Sequence, residues 1–129
     1  MPQYTRVQLS DRVVWRMIVP AVVSQTSETQ AEGKLDCGAD RTAVPKTLLQ
    51  LINARPSGVV NISGALDERP KEVATYFVNI SVDGLQFDDI EVIETPNKYV
   101  LVGLDLLNEC GLKANGPAKS FELTRPSSA

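Results

Sequence analysis

The stretch Leu35-Asp36-Cys37-Gly38-Ala39-Asp40-Arg41-Thr42-Ala43-Val44-Pro45 decides the fold of this 129-residue chain. An apolar run ends at Leu35, and the carboxylate of Asp36 and the glycine turn at Gly38 follow it directly. Glycine adopts backbone angles that other residues avoid, so the chain can bend there and direct an N–H at the carboxylate. An acid held by backbone donors at a strand end suits general acid–base catalysis. Asp-x-Gly is also common in ordinary turns, where the aspartate only caps the bend.

A second stretch repeats the pattern of an apolar strand that runs into a glycine. Tyr99-Val100-Leu101-Val102-Gly103-Leu104-Asp105-Leu106-Leu107-Asn108 predicts a buried strand, a turn and the start of a short helix. Asn115-Gly116-Pro117 and the alternating segment Ser120-Phe121-Glu122-Leu123 follow it. The two motifs, in this order and spacing, resemble the retropepsin-like (retroviral-type, clan AA) aspartic proteases, and most of all their single-domain bacterial members. The resemblance covers residues 13–123.

The resemblance implies an all-β fold, which also agrees with the many short strands and frequent turns of the sequence. We expect a closed or nearly closed acid-protease barrel with one or two short helices, equivalent to one half of a pepsin-like bilobal fold. The expected domain spans residues 11–124, between a loose N-terminal arm (1–10) and a polar tail (125–129). Predicted strands cover 12–23, 30–35, 59–63, 72–82, 85–93, 99–102, 112–114 and 119–123, and predicted helices cover 46–52 and 104–110.

The resemblance also assigns the site. Asp36 is the expected catalytic acid and base, Gly38 is the backbone donor to its carboxylate, and Cys37 and Ala39 complete the active-site turn. The strand that supports this turn consists of Val100, Leu101, Val102 and Gly103. The hairpin over residues 59–82 matches the flap that closes over substrate, and its tip is expected at Ser63, Gly64 and Ala65.

Composition excludes several other classes of function. The sequence has no histidine, which removes Ser-His and Cys-His nucleophile pairs and histidine zinc sites. The two cysteines do not suffice for a metal site, so we predict neither a metal nor a cofactor. A net charge of -3 without a basic run argues against nucleic-acid binding. The apolar run 13–23 is broken by Arg16 and Pro20, so we expect no membrane contact and a soluble, cytoplasmic protein.

A homodimer follows from the count of catalytic motifs. Hydrolysis by carboxylates needs two of them, one to take a proton from water and one to donate a proton to the carbonyl oxygen. Only Asp36 lies in an Asp-x-Gly strand end of the right kind, since Asp83 belongs to a hairpin turn and Asp105 to the helix motif. The partner carboxylate is therefore expected to be Asp36 of a second subunit. The expected function is an aspartic endopeptidase acting on polypeptides.

Two departures from the family pattern keep other functions open. Cys37 stands where the family has Thr or Ser, whose hydroxyl braces the paired turns, and a thiol is a weak donor. Leu104 stands where the family has an Arg that joins an ionic network. The alternatives are a catalytically weak or inactive homodimer that binds extended peptides, and a purely structural β-barrel.

Smaller predictions concern individual side chains. Trp15, Phe77 and Phe87 are expected at core or flap packing positions, and Asp40 is expected to orient the turn or to pair with Arg41.

Overall fold

The computed structural model describes residues 2–63 and 69–126 of the chain. Within these ranges the order of elements is β1 (Thr5–Gln8), β2 (Val13–Arg16), β3 (Ile18–Ser24), β4 (Glu28–Leu35), β5 (Ala43–Pro45), α1 (Lys46–Leu51), β6 (Pro56–Ile62), β7 (Lys71–Val82), β8 (Leu85–Thr95), β9 (Val100–Val102), α2 (Leu104–Leu107), β10 (Gly111–Asn115) and β11 (Ser120–Thr124).

Six strands close into a barrel. Their order is β3-β4-β9-β5-β8-β7, and β7 pairs back with β3 to complete the ring. The pairs β4–β9 and β5–β8 are parallel, whereas the other pairs are antiparallel, so the barrel is mixed. Strand β6 lies outside the ring and pairs with β7. The prediction of an all-β barrel with two short helices is therefore confirmed.

The core follows from the two-residue periodicity of the long strands. Alternate residues of β7, namely Val78, Ile80 and Val82, point inward and are at most 2% exposed. Phe87 and Val92 of β8 face them and are equally buried. The two helices bring further apolar side chains to the core. These are Leu49 of α1, Ile52 directly after it, and Leu106 and Leu107 of α2.

The N-terminal region differs from the expected loose arm. Strand β1 pairs with β2 in an antiparallel hairpin, in which Arg6 faces Trp15. Pairing satisfies the backbone groups of β1, although its side chains show no strong apolar alternation. The single strand expected over 12–23 is broken at Met17, because the chain there changes its pairing partner from β1 to β4.

Two of the three aromatic residues expected at core or flap packing positions lie outside the core. Trp15 is 43% exposed, with the Lys119 ammonium 4.9 Å from the centre of its ring, and Phe77 is 45% exposed. Their positions on outward faces of β2 and β7 explain the exposure. Phe87 is buried as predicted.

The C-terminal hairpin β10–β11 forms a separate small sheet. Gln3 bridges to Ser120, and the Tyr4 N–H donates to the Lys119 carbonyl at 2.8 Å. Helix α2 ends at Leu107, earlier than expected, and β10 begins at Gly111. Among the described residues no helix is both long and apolar enough to cross a membrane.

Candidate active site

Asp36 lies at the end of β4, where the chain leaves the barrel wall. Its backbone N–H donates to the Val102 carbonyl at 2.9 Å and so continues the parallel pairing of Leu35 with Val102. Its carboxylate Oδ1 accepts the N–H of Gly38 at 2.8 Å. The predicted contact between glycine N–H and carboxylate is therefore present, and the side chain is fixed by backbone rather than by a flexible neighbour.

Gly38 is required at this turn for a different reason from the one expected. Gly84 has a positive φ in the hairpin turn after β7, but Gly38 does not. A Cβ built on Gly38 would lie 3.2 Å from Asp36 Oδ1, which is tighter than ordinary van der Waals contact. The missing side chain, not a left-handed backbone, lets the N–H approach the carboxylate.

Strand β9 and Gly103, which follows it, pack against the active-site turn. Val100, Val102 and Gly103 are buried, whereas Leu101 is half-buried. A Cβ on Gly103 would lie 2.6 Å from the carbonyl carbon of Arg41 and 2.9 Å from the Ala39 oxygen. The backbone of the second motif thus packs directly on the backbone of the active-site turn. The Leu104 N–H also donates to the Ala39 carbonyl at 2.8 Å.

Thr42 and Asp105 join the two motifs, and the sequence interpretation missed this pair. Asp105 Oδ1 accepts the Thr42 hydroxyl at 2.7 Å, and Oδ2 accepts the Thr42 N–H at 3.0 Å. The hydroxyl of Thr42 in turn accepts the Gly103 N–H at 3.1 Å. Thr42 is fully buried and Asp105 is exposed, so the bond between Gly103 and the Thr42 hydroxyl is buried and the two bonds to Asp105 are partly buried. The sequence offered one sign of this pair, namely a hydroxyl residue, Thr42, in the first motif and a carboxylate residue, Asp105, in the second.

The charges beside the turn are arranged differently from the expected Asp40–Arg41 pair. The Arg41 guanidinium lies 3.4 Å from Glu91 on β8, and both side chains are close to half exposed. Asp40 is exposed, and its carboxylate makes no ion pair or hydrogen bond with any residue in 2–63 or 69–126.

A groove of about 490 Å³ begins at the active-site turn. Ala43, Ile93 and Leu101 lie on the three adjacent strands β5, β8 and β9 and form its apolar floor. The lining of the groove is Gly38, Ala39, Asp40, Arg41, Ala43, Ile62, Ser63, Ile93 and Leu101. The groove therefore lies between the active-site turn, the barrel and the end of β6.

The structure brings most of the predicted site residues together. Cys37, which is exposed, and Ala39 lie in the turn, and Ser63 lies across the groove from it. The other predicted flap residues, Gly64 and Ala65, fall outside the described residues. The catalytic role of Asp36 and the flap role of Ser63 stay predictions.

The chain is similar in structure to retroviral proteases. It aligns over 69% of its length with 89% of the Simian Foamy Virus (mac) protease (TM-score 0.54, 24% identity). It aligns over 72% of its length with 86% of the EIAV protease, solved in complex with the inhibitor HBY-793 (TM-score 0.57, 18% identity). A foamy viral protease-reverse transcriptase, solved with an RNA/DNA hybrid, matches 70% of this chain but only 11% of its own (TM-score 0.55, 24% identity).

These likenesses establish the fold, which is the retropepsin-like barrel. No family model and no curated protein matches the chain.

Proposed function

We propose that this chain is an aspartic endopeptidase whose active site forms between two copies. The observation that carries the proposal is the Asp36 carboxylate, held by the Gly38 N–H at a strand end beside a groove, in a retropepsin-like barrel. The described lining of the groove consists mostly of apolar side chains with few polar ones, as in most binding clefts.

The proposed chemistry needs a second carboxylate, which Asp36 of the partner copy supplies. Two carboxylates side by side retain one proton between them, because both cannot ionise at once. The ionised one takes a proton from water as the water oxygen attacks the peptide carbonyl. The protonated one donates its proton to the carbonyl oxygen, which gives a tetrahedral gem-diol. The C–N bond then breaks as the nitrogen takes the proton that the first carboxylate received from water, while a gem-diol hydroxyl returns its proton to the second carboxylate. A carboxylic acid and an amine are released, and the pair again holds one proton.

Asp36→Asn tests this mechanism. The amide keeps the shape of the side chain but cannot serve as the base, so peptide cleavage should fall by about a thousandfold or more. Asp11→Asn is the matched control, since it removes the same charge from an exposed side chain whose partner within the described residues is Arg12. Sedimentation of the wild type should show a dimer.

The outcomes separate the proposal from its alternatives. Cleavage that survives in Asp36→Asn, or activity in a preparation that sediments as a monomer, would refute the paired-carboxylate mechanism. Peptide binding without cleavage by the wild-type dimer would favour a dimer that binds extended peptides but does not cleave them.

The second candidate is a dimer that binds extended peptides without cleaving them. It is favoured by Cys37, because an exposed thiol replaces the hydroxyl expected to brace the paired turns. Cys37→Thr would restore that hydroxyl, and a gain of cleavage in this variant would show that the thiol limits catalysis. The cytoplasmic location stays a prediction, which fractionation of the expressing cells would test.

A further inference from the structure

We propose that the groove beside Asp36 selects a peptide that places a lysine or arginine side chain between its apolar floor and the Asp40 carboxylate. This inference rests on the proposed function, because it names the substrate class of the same site. Three observations lead to it: the shape of the floor, the position of Asp40 and the balance of charge around the groove.

The floor fits a long unbranched stem. Ala43 is 4% exposed, and its small side chain leaves space between Ile93 and Leu101 on the flanking strands. Ile62 at the end of β6 provides a further apolar contact. The methylene stem of lysine or arginine covers apolar surface well while its charged end stays in water. Asp40 lines the same groove as this floor.

Asp40 is the carboxylate of the groove that is available to a ligand. It is exposed and lines the groove, and within the described ranges no cation neutralises it. Arg41 is its neighbour in sequence, but the Arg41 guanidinium is engaged by Glu91 at 3.4 Å. Leu104, whose N–H binds the same turn at Ala39, contributes no charge.

The charge balance excludes the opposite preference. Among the described residues that line the groove, the charged ones are Asp40 and Arg41, and the Arg41 guanidinium is paired with the Glu91 carboxylate. An acidic side chain would have to displace Glu91 from Arg41 and then lie close to Asp40. If an acidic peptide side chain replaced Glu91 on Arg41, one ion pair would be exchanged for another, with little net attraction. A basic side chain would instead form a new ion pair with Asp40 and would displace no residue.

A peptide series measures the contribution of the charge separately from that of the stem. Each position of a parent peptide is occupied in turn by lysine, norleucine or glutamate, and kcat/KM is compared at low salt. Norleucine has the stem of lysine without the ammonium. At one position, lysine should exceed norleucine by about three- to fivefold, as expected for one exposed ion pair, and glutamate should be the poorest. High salt should reduce the advantage of lysine.

Substitutions then identify the residue. Asp40→Asn should reduce the ratio of lysine to norleucine to about one, while Asp11→Asn, which changes the net charge equally, should leave the ratio unchanged. Arg41→Gln should raise the ratio, because it removes the cation nearest to the carboxylate. A wild-type ratio of one or below would overturn the inference. So would an equal loss for all peptides in Asp40→Asn, since that would indicate a contact with the peptide main chain.

Binding measurements keep this inference distinct from the proposed function. Anisotropy of the same peptides, labelled with a fluorophore, gives affinity ratios for the wild type and for Asp36→Asn. Cleavage without a preference for lysine would refute the inference and leave the protease proposal intact. A lysine preference in binding without cleavage would refute the protease proposal and leave the inference intact.

Discussion

The two walls of the groove are built differently. The active-site turn is fixed to the second motif by the hydrogen bonds of Thr42 and by direct backbone contact at Gly103. Opposite it, β6 pairs with β7 and lies outside the closed ring of strands. The difference indicates a fixed wall that orients a carboxylate and a second wall that can move with less loss of structure.

The largest expected loss of stability comes from adding a methyl group at Gly103, on the fixed wall. In Gly103→Ala the new Cβ would lie 2.6 to 2.9 Å from backbone atoms of Arg41 and Ala39, which cannot rotate away. We expect a loss of about 3 kcal/mol in the free energy of unfolding, measured by urea denaturation, together with loss of activity. Gly58→Ala on β6 is the matched control, because its Cβ would meet Thr75 Oγ1 at an ordinary 3.6 Å. Equal costs for the two variants would contradict the contrast between the walls.

A second comparison uses two buried threonines. Thr42→Val removes a hydroxyl that donates to Asp105 and accepts the buried Gly103 N–H, so it leaves a backbone donor without a partner. We expect a cost of about 2 kcal/mol in unfolding free energy and a reduced kcat, because the turn loses its anchor. Thr75→Val removes a hydroxyl whose partner is the hydroxyl of Ser57, in β6. Ser57 is exposed and can turn to water, so this variant should cost less than half as much.

The sequence predicted those parts of the site that are local in the chain. Asp36 and Gly38 are two residues apart, and their contact follows from the chemistry of a turn. The pairing of Thr42 with Asp105 spans 63 residues, so it depends on how β4, β5 and β9 pack and could not be obtained from local pattern alone. Strand β1 was missed for the same reason, because its stability comes from pairing with β2 and not from its own side chains.

Fold prediction shows the same limit. The strand β7 and the turn at Asp83 and Gly84 were predicted from alternation and turn chemistry, and both are confirmed. The closure of the barrel by β3 and β7 followed from the family resemblance, since nothing in either strand specifies its partner.

Hydrogen exchange should show the difference between the walls without any substitution. The Gly103 amide donates to the buried Thr42 hydroxyl, and the amide of buried Thr42 donates to Asp105, whereas residues 59–62 lie on a strand held from one side. We expect the β6 amides to exchange faster by about tenfold or more, measured by mass spectrometry or NMR. The amides near Ile80 in β7, a strand of the barrel, are the control for slow exchange in the core. Equal protection of β6 and the turn would mean that both walls are rigid.

The smallest expected effect is a difference in reactivity between the two thiols, Cys37 in the active-site turn and Cys110 after α2. Cys37 is exposed, whereas Cys110 is half-buried after α2 and its Sγ lies 3.5 Å from the Leu106 carbonyl. Burial raises the pKa of the Cys110 thiol; the Arg125 guanidinium opposes the rise, and the Glu109 carboxylate adds to it. Because only the thiolate is nucleophilic, iodoacetamide should alkylate Cys37 first at mildly alkaline pH.

The sign of this shift also gives a dependence of stability on pH. A thiol whose pKa is higher in the folded state binds its proton more tightly there, so its contribution is complete below the pKa of the unfolded thiol. The contribution is lost as the pH rises through the folded value, so alkaline pH should destabilise the wild type slightly more than Cys110→Ala. Alkylation in urea is the control, since both thiols should then react at similar rates. Faster alkylation of Cys110 than of Cys37 in the folded protein would contradict the effect of burial on the Cys110 thiol.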